Sequence, residues 1–159
     1  MRTQTLHLSG VAATEAAGAR LASRLANGMI VTLSGELGAG KTTLVRGCLR
    51  ALGFTGRVKS PTYMLVEHYP LSSLYLYHID FYRFDDLAEW DDAGLAECFR
   101  DDAACLVEWP ERVAGLLPPP DLALTLEHAA DPDARTLSIR ANTDAGERCA
   151  LALVNAVRA

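Results

Sequence analysis

Lysine is nearly absent: the 159-residue chain has only Lys41 and Lys59, against 13 arginines. Its 20 acidic residues bring the formal net charge to −5, so there is no global basic footprint for nucleic acid. No apolar run approaches the roughly 18 residues that a membrane span needs. The opening stretch, Met1-Arg2-Thr3-Gln4-Thr5-Leu6-His7-Leu8, lacks the apolar core of a signal peptide. A cytoplasmic protein with no membrane partner is therefore expected. The four cysteines, Cys48, Cys98, Cys105 and Cys149, form no CxxC pair and have no nearby histidine at zinc spacing. Set among apolar neighbours, they read as reduced packing groups. Repeats, low-complexity tracts and linkers are also missing, which at this length predicts one domain over residues 1–159.

What is present alternates between strand and helix patterns. Residues 2–8 read as an edge strand. Ala17, Leu21, Ala22 and Leu25 follow helical spacing and predict a helix over 14–25, stopped at Asn27-Gly28. Met29–Leu33 is a short, β-branched apolar run suited to a strand buried on both faces. A helix is predicted over 41–52, closed by Gly53. Strand-like stretches at 63–68 and 74–80, separated by Pro70-Leu71-Ser72-Ser73, suggest a hairpin or neighbouring strands. Residues 86–100 read as helix interrupted near Gly94, and 103–107 as a second buried strand ending at Glu108-Trp109. Pro110 can open a short helix, which Pro118-Pro119-Pro120 ends. Leu122–His128 and Arg135–Arg140 form a strand pair around Asp131-Pro132-Asp133, and a helix over 146–158 closes the chain. The expected fold is α/β: a three-layer α/β/α domain with a mainly parallel central sheet and antiparallel additions. Strand order stays open.

The sharpest local signal is Gly35-Glu36-Leu37-Gly38-Ala39-Gly40-Lys41-Thr42, a full Gly-x-x-x-x-Gly-Lys-Thr pattern with a strand before it and a helix after it. Its glycines let the backbone turn tightly and approach phosphate oxygens without a Cβ. The amides of 38–43 then point inward at the positive end of a helix, a ready anion site. In such a loop Lys41 reaches the β and γ phosphates, the Thr42 hydroxyl ligates Mg²⁺, and Thr43 stands at the α phosphate. These features predict a P-loop ATPase using ATP and Mg²⁺.

A phosphate loop needs a carboxylate at the end of a neighbouring buried strand. Glu108 directly follows Cys105-Leu106-Val107 and is assigned to the metal. Asp80 ends the run from Leu74 and is assigned to positioning or activating the attacking water; the spacing also suits a helix N-cap or loop carboxylate. His78, two residues earlier, lies on the same strand face, either contacting phosphate or packed as a satisfied core histidine. Thr62 in Ser60-Pro61-Thr62-Tyr63 could sense the γ phosphate or the metal, although that tetrapeptide is also ordinary loop sequence.

Together these elements resemble the TsaE family, which serves bacterial tRNA threonylcarbamoyladenosine synthesis. The matching pieces are the loop Gly35–Thr43, Ser60-Pro61-Thr62-Tyr63, Tyr77-His78-Ile79-Asp80-Phe81-Tyr82-Arg83 and Leu106-Val107-Glu108-Trp109-Pro110. The resemblance covers essentially the whole chain. It implies a P-loop NTPase with an atypical sheet, whose ATP hydrolysis is slow until partners bind. The implied partners are TsaB and TsaD, with TsaD modifying adenosine 37 of tRNAs that read codons beginning with A. This chain would bind that heterodimer and use hydrolysis to reset it, touching tRNA only through the complex. The family's ATP contacts map onto Gly38, Ala39, Gly40, Lys41, Thr42 and Thr43, its Mg²⁺ ligands onto Thr42 and Glu108, and its catalytic aspartate onto Asp80. Trp109 would lie beside the nucleotide, with further contacts from Val11 and Arg135. Asp133-Ala134-Arg135 stands where the family often has Gly-Arg, and Glu36 replaces a frequent Asp.

Three other readings compete. A GTPase usually needs Asn-Lys-x-Asp, and none of Asn27, Asn142 and Asn155 precedes a lysine. A small-molecule kinase usually has a basic lid, yet 11 of the 20 acidic residues fall between Asp80 and Glu111. An ATP-binding docking module without significant catalysis differs from the leading reading only in turnover.

Overall fold

The computed structural model describes residues 3–58, 66–86 and 88–158. Along these residues the elements are β1 (Thr3–Leu8), α1 (Val11–Ala22), β2 (Ile30–Ser34), α2 (Lys41–Ala51), β3 (Val66–Pro70), β4 (Tyr75–Asp80), α3 (Ala88–Asp92), β5 (Ala104–Glu108), β6 (Leu122–His128), β7 (Arg135–Ala141) and α4 (Asp144–Arg158). Short 3₁₀ turns occupy Leu95–Cys98 and Pro110–Val113.

All seven strands join one sheet in the order β1-β7-β6-β2-β5-β4-β3. Its centre, β6-β2-β5-β4, is parallel. The margins are antiparallel: β1 and β7 on one side, and β3 paired with β4 as a hairpin on the other. This is the expected mixed α/β arrangement with antiparallel additions. The apolar β2 lies mid-sheet because both its faces find cover. On one face Leu21 of α1, Leu44 and Leu49 of α2, and Leu153 of α4 pack against Val31, Leu33, Leu76, Leu106 and Leu124. On the other, Ile30, Ile79 and Val107 meet Phe81, Phe84, Trp90, Leu95 and Val113. That second layer is thin, made by α3, the 3₁₀ turns and their connecting segments.

Three helix boundaries differ from expectation. Thr14 looks like the start of α1, but the helix begins three residues earlier, with Gly10 in extended conformation at its N-cap. The Thr14 hydroxyl instead donates back to the Gly10 carbonyl at 3.3 Å, a bond made from inside the first turn. α1 also ends at Ala22, short of Leu25. α4 starts at Asp144 rather than 146, because the Thr143 hydroxyl accepts the Gly146 N–H at 3.1 Å and caps it. The strand predicted from Tyr63 is described from Val66, and Ser60-Pro61-Thr62-Tyr63 lies outside the described residues.

α1 and α2 cross backbone to backbone. A Cβ on Gly18 would lie 2.0 Å from the Leu44 carbonyl oxygen, and one on Gly47 would lie 2.0 Å from that of Glu15. Alanine ordinarily favours a helix interior over glycine by roughly 1 kcal/mol. Here Gly47→Ala forces two main chains apart, and a net loss of about 3 kcal/mol is expected. For a domain of this size that lowers the melting temperature by roughly 6–12 °C. A thermal melt with an unchanged midpoint would refute the close crossing, which matters because α2 carries the glycine loop.

All four cysteines are free thiols. Burial pushes the Cys48 and Cys105 thiols up to about 12 and Cys149 up to about 11, so they behave as packing groups, as expected.

Candidate functional site

Parallel pairing of β2, β5 and β4 brings three strand ends to one edge of the sheet. The register sets Leu33 beside Glu108, and Glu108 beside Asp80. The glycine loop leaves β2 at that same edge and enters α2. In an open α/β sheet, ligands collect where parallel strands end.

The loop's shape follows from its glycines at two places. Gly35 cannot carry a side chain, since a Cβ would come 2.4 Å from the Leu126 carbonyl oxygen. Gly40, the N-cap of α2, has φ of +106°, a left-handed conformation that glycine adopts without penalty. No side chain caps α2 and its first turn holds no acidic residue, so the first amides of the helix are left for another acceptor.

Arg135, at the start of β7, grips this loop from behind. Its Nε donates to the Ala39 carbonyl at 2.9 Å and its Nη2 to the Gly38 carbonyl at 3.0 Å. Nη1 is held by the Pro132 and Ala134 carbonyls. A trans peptide points its N–H away from its C=O, so the Ala39 carbonyl fixed toward Arg135 turns the Gly40 amide the opposite way. The Ala39 N–H instead donates to the Glu36 carbonyl at 3.0 Å within the loop. The arginine expected as a ligand contact therefore also braces the loop.

A cavity of about 520 Å³ opens here, lined by Gly38, Gly40, Lys41, Thr42, Thr43, Asp80, Glu108, Trp109 and Arg135, with Leu37, Tyr82 and Arg83. Nine of the eleven residues singled out from sequence line one cavity. Ala39 lies buried within the loop itself. Val11 is the outlier: it opens α1, is 51% exposed, and is not part of the lining. The α1 residue that meets the loop is Thr14, whose methyl would stand 3.6 Å from a Cβ on Gly40.

The charged groups are tightly enclosed. Lys41 is only 5% exposed; its Nζ donates to the Gly35 carbonyl and lies 3.8 Å from the centre of the Trp109 ring. Burial lowers the Lys41 pKa below the ordinary lysine range, opposed by the carboxylates of Glu108, Asp80 and Glu111. Asp80 is 5% exposed and accepts the Tyr82 N–H at 2.9 Å through Oδ1, which fixes its carboxylate at the strand end. Glu108 is 2% exposed, and its Oε2 lies 2.5 Å from Nε2 of His78. His78 is thus a core histidine on the strand face shared with Asp80, but not the fully satisfied one expected: Nε2 has a carboxylate partner, while Nδ1 has none among the described residues.

Trp109 has left-handed backbone angles, φ 57° and ψ 50°. A non-glycine residue there carries roughly 1–3 kcal/mol of strain. The turn takes the chain out of β5 into Pro110, while the indole stands against Lys41 and, at 5.1 Å between centroids, Tyr82. Sequence reasoning assigned no role to Leu37, Tyr82 or Arg83. The available signal was the Tyr82-Arg83 pair just beyond a strand-ending aspartate.

Chemically, helix-start amides and a lysine can hold an anion, and carboxylates beside them can hold a hard cation. Thr42 and Glu108 offer the oxygen donors that Mg²⁺ prefers, and magnesium sites commonly combine one or two such groups with ligand phosphates.

Among the described residues no helix is long and apolar enough to cross a membrane. The family profile for threonylcarbamoyl adenosine biosynthesis protein TsaE matches residues 8–137. The tRNA threonylcarbamoyladenosine biosynthesis protein TsaE of Haemophilus influenzae is 42% identical over 127 residues, covering 80% of this chain and 79% of that protein. The protein of the same name from Bacillus subtilis is 41% identical over 114 residues, covering 72% and 70%. A crystal structure of Bacillus subtilis YdiB superposes with a TM-score of 0.79 at 29% identity, covering 98% of this chain and 97% of that one. Profile, identity and fold agree over most of the length, and the chain belongs to the TsaE family of threonylcarbamoyl adenosine biosynthesis proteins.

Proposed function

We propose that this chain is a cytoplasmic P-loop ATPase of tRNA threonylcarbamoyladenosine formation, hydrolysing ATP to reset a TsaB–TsaD transferase between turnovers. The observation that carries the ATPase reading is the convergence, at one sheet edge, of the glycine loop, Lys41, and the register-paired carboxylates Asp80 and Glu108. Family membership supports the pathway.

The site's groups divide the work. The amides of Gly38 and of residues 40–43, with the Lys41 ammonium, bind and orient the phosphates, while the Ala39 amide holds the loop through the Glu36 carbonyl. Thr42 and Glu108 would hold Mg²⁺, which spreads charge over the β and γ oxygens when bound. Asp80, held by the Tyr82 amide, orients the attacking water and takes its proton. Trp109 walls the cavity beside Lys41, and Arg135 keeps the loop in shape. With a net charge of −5, the chain would meet tRNA only through its partners.

The test is steady-state ATP hydrolysis by the purified chain, alone and with TsaB–TsaD from the same organism. Slow turnover that rises on adding the heterodimer is the expected result. Turnover indifferent to the heterodimer would leave an ATPase with another role, and no turnover in either case would refute the ATPase.

A further inference from the structure

His78 stands in the middle of β4 where a hydrocarbon would be expected. On the same strand face Leu76 precedes it, and Leu106 is its register partner across β5; both are fully buried. His78 is 0% exposed, and its Nδ1 has no hydrogen-bond partner among the described residues. An unpaired polar atom in a core is costly, so as packing alone the histidine is a poor choice beside leucine. Its other nitrogen is the exception, with Nε2 at 2.5 Å from Glu108 Oε2.

We propose that His78 is a positioning residue for Glu108: its Nε2–H holds Oε2 and fixes the carboxylate rotamer. The other oxygen, on a residue that lines the cavity, stays available to the cation. This rests on the assignment of Glu108 to Mg²⁺ made above. A carboxylate oxygen accepts in this contact, so Nε2 is the nitrogen that carries a proton toward Glu108. Residues that orient a metal-binding carboxylate from behind commonly matter 10–100-fold for metal affinity. Nδ1, without a partner among the described residues, is the cost of placing one strong donor between Leu76 and Leu106.

The experiment compares wild type, His78→Gln and His78→Leu. Gln can present an amide N–H near the position of Nε2, whereas Leu matches only the bulk. ATP affinity is measured with Mg²⁺ and in EDTA, and the ratio is the readout. His78→Leu is expected to lose about 10–100-fold of the Mg²⁺-dependent gain while its EDTA affinity stays within about 3-fold. His78→Gln is expected to keep most of the gain. Independently, ¹⁵N spectra of the nucleotide-free wild type should show His78 protonated at Nε2. A folded His78→Leu with wild-type Mg²⁺ dependence, a His78→Gln as impaired as His78→Leu, or an Nε2 without a proton would each overturn the inference. Should His78→Leu fail to fold, His78→Gln and the tautomer spectra decide it. A wild type indifferent to Mg²⁺ would instead overturn the assignment of Glu108, and the inference with it.

Discussion

Lys41→Ala is expected to reduce ATP turnover by about 10²–10³-fold, the usual consequence of removing one preorganised donor from developing phosphate charge. ATP affinity should fall by roughly 10–100-fold, since a hydrogen bond to a charged group contributes about 1.5–3 kcal/mol. The reason lies in where the ammonium sits. Lys41 is almost wholly enclosed, between the Gly35 carbonyl and the Trp109 ring, with the carboxylates of Glu108 and Asp80 lining the same cavity. Its lowered pKa adds a signature in pH. The charged form binds phosphate, and burial favours the neutral form in the free protein. Affinity should therefore bend downward on the alkaline side at a lower pH than an exposed lysine would give. Isothermal titration across alkaline pH, with Lys41→Ala as the reference, checks both points. Wild-type affinity in Lys41→Ala would remove the lysine from the site.

Asp80→Asn should separate binding from chemistry. Asn keeps an oxygen that can accept the Tyr82 N–H, so the strand end retains its shape. What disappears is the carboxylate that would take a proton from water. A positioned general base contributes about 10²–10⁴-fold, and kcat should drop by that factor while ATP affinity stays within about 3-fold. Single-turnover hydrolysis and nucleotide titration, both with TsaB–TsaD present, measure the two sides. Intact turnover would end the catalytic assignment. A fall in Mg²⁺-dependent affinity with little change in kcat would instead move Asp80 to the metal, beside its register neighbour Glu108. The same experiment separates an ATPase from an ATP-binding docking module, which would lose nothing on this substitution.

The parts of this molecule that sequence revealed are those whose cause is local. Glycine spacing and the following lysine belong to a single turn, so the loop between β2 and α2 was readable residue by residue. The apolar run before Glu108 announced a strand doubly buried in the sheet, and β5 is buried at every position. Where local signals compete, reading was less exact. Thr14 resembles a cap yet donates backward from inside α1, and the Gly10 that does precede the helix offers no side chain to notice. Between β4 and β5 the interruption expected near Gly94 is there, with Gly94 at φ +63° between α3 and a 3₁₀ turn, but both pieces are shorter than the predicted 86–100 and leave the second layer thin.

The sequence by itself determined the local chemistry: a glycine loop between a strand and a helix, the lysine that follows it, two strand-ending carboxylates, and motifs sufficient to resemble a family. Hydrogen-bonding potential, backbone freedom and hydrophobic period are properties of a residue and its near neighbours. Only the tertiary structure decided which of these groups meet. Strand order placed β5 between β2 and β4, and their register set Glu108 beside Asp80. Contact between Arg135 and Ala39 spans 96 positions, that of His78 with Glu108 spans 30, and the bare crossing of Gly18 and Gly47 depends on two helices packing face to face. Such pairings are selected by burial and close packing over the whole sheet, which no local window of the chain contains.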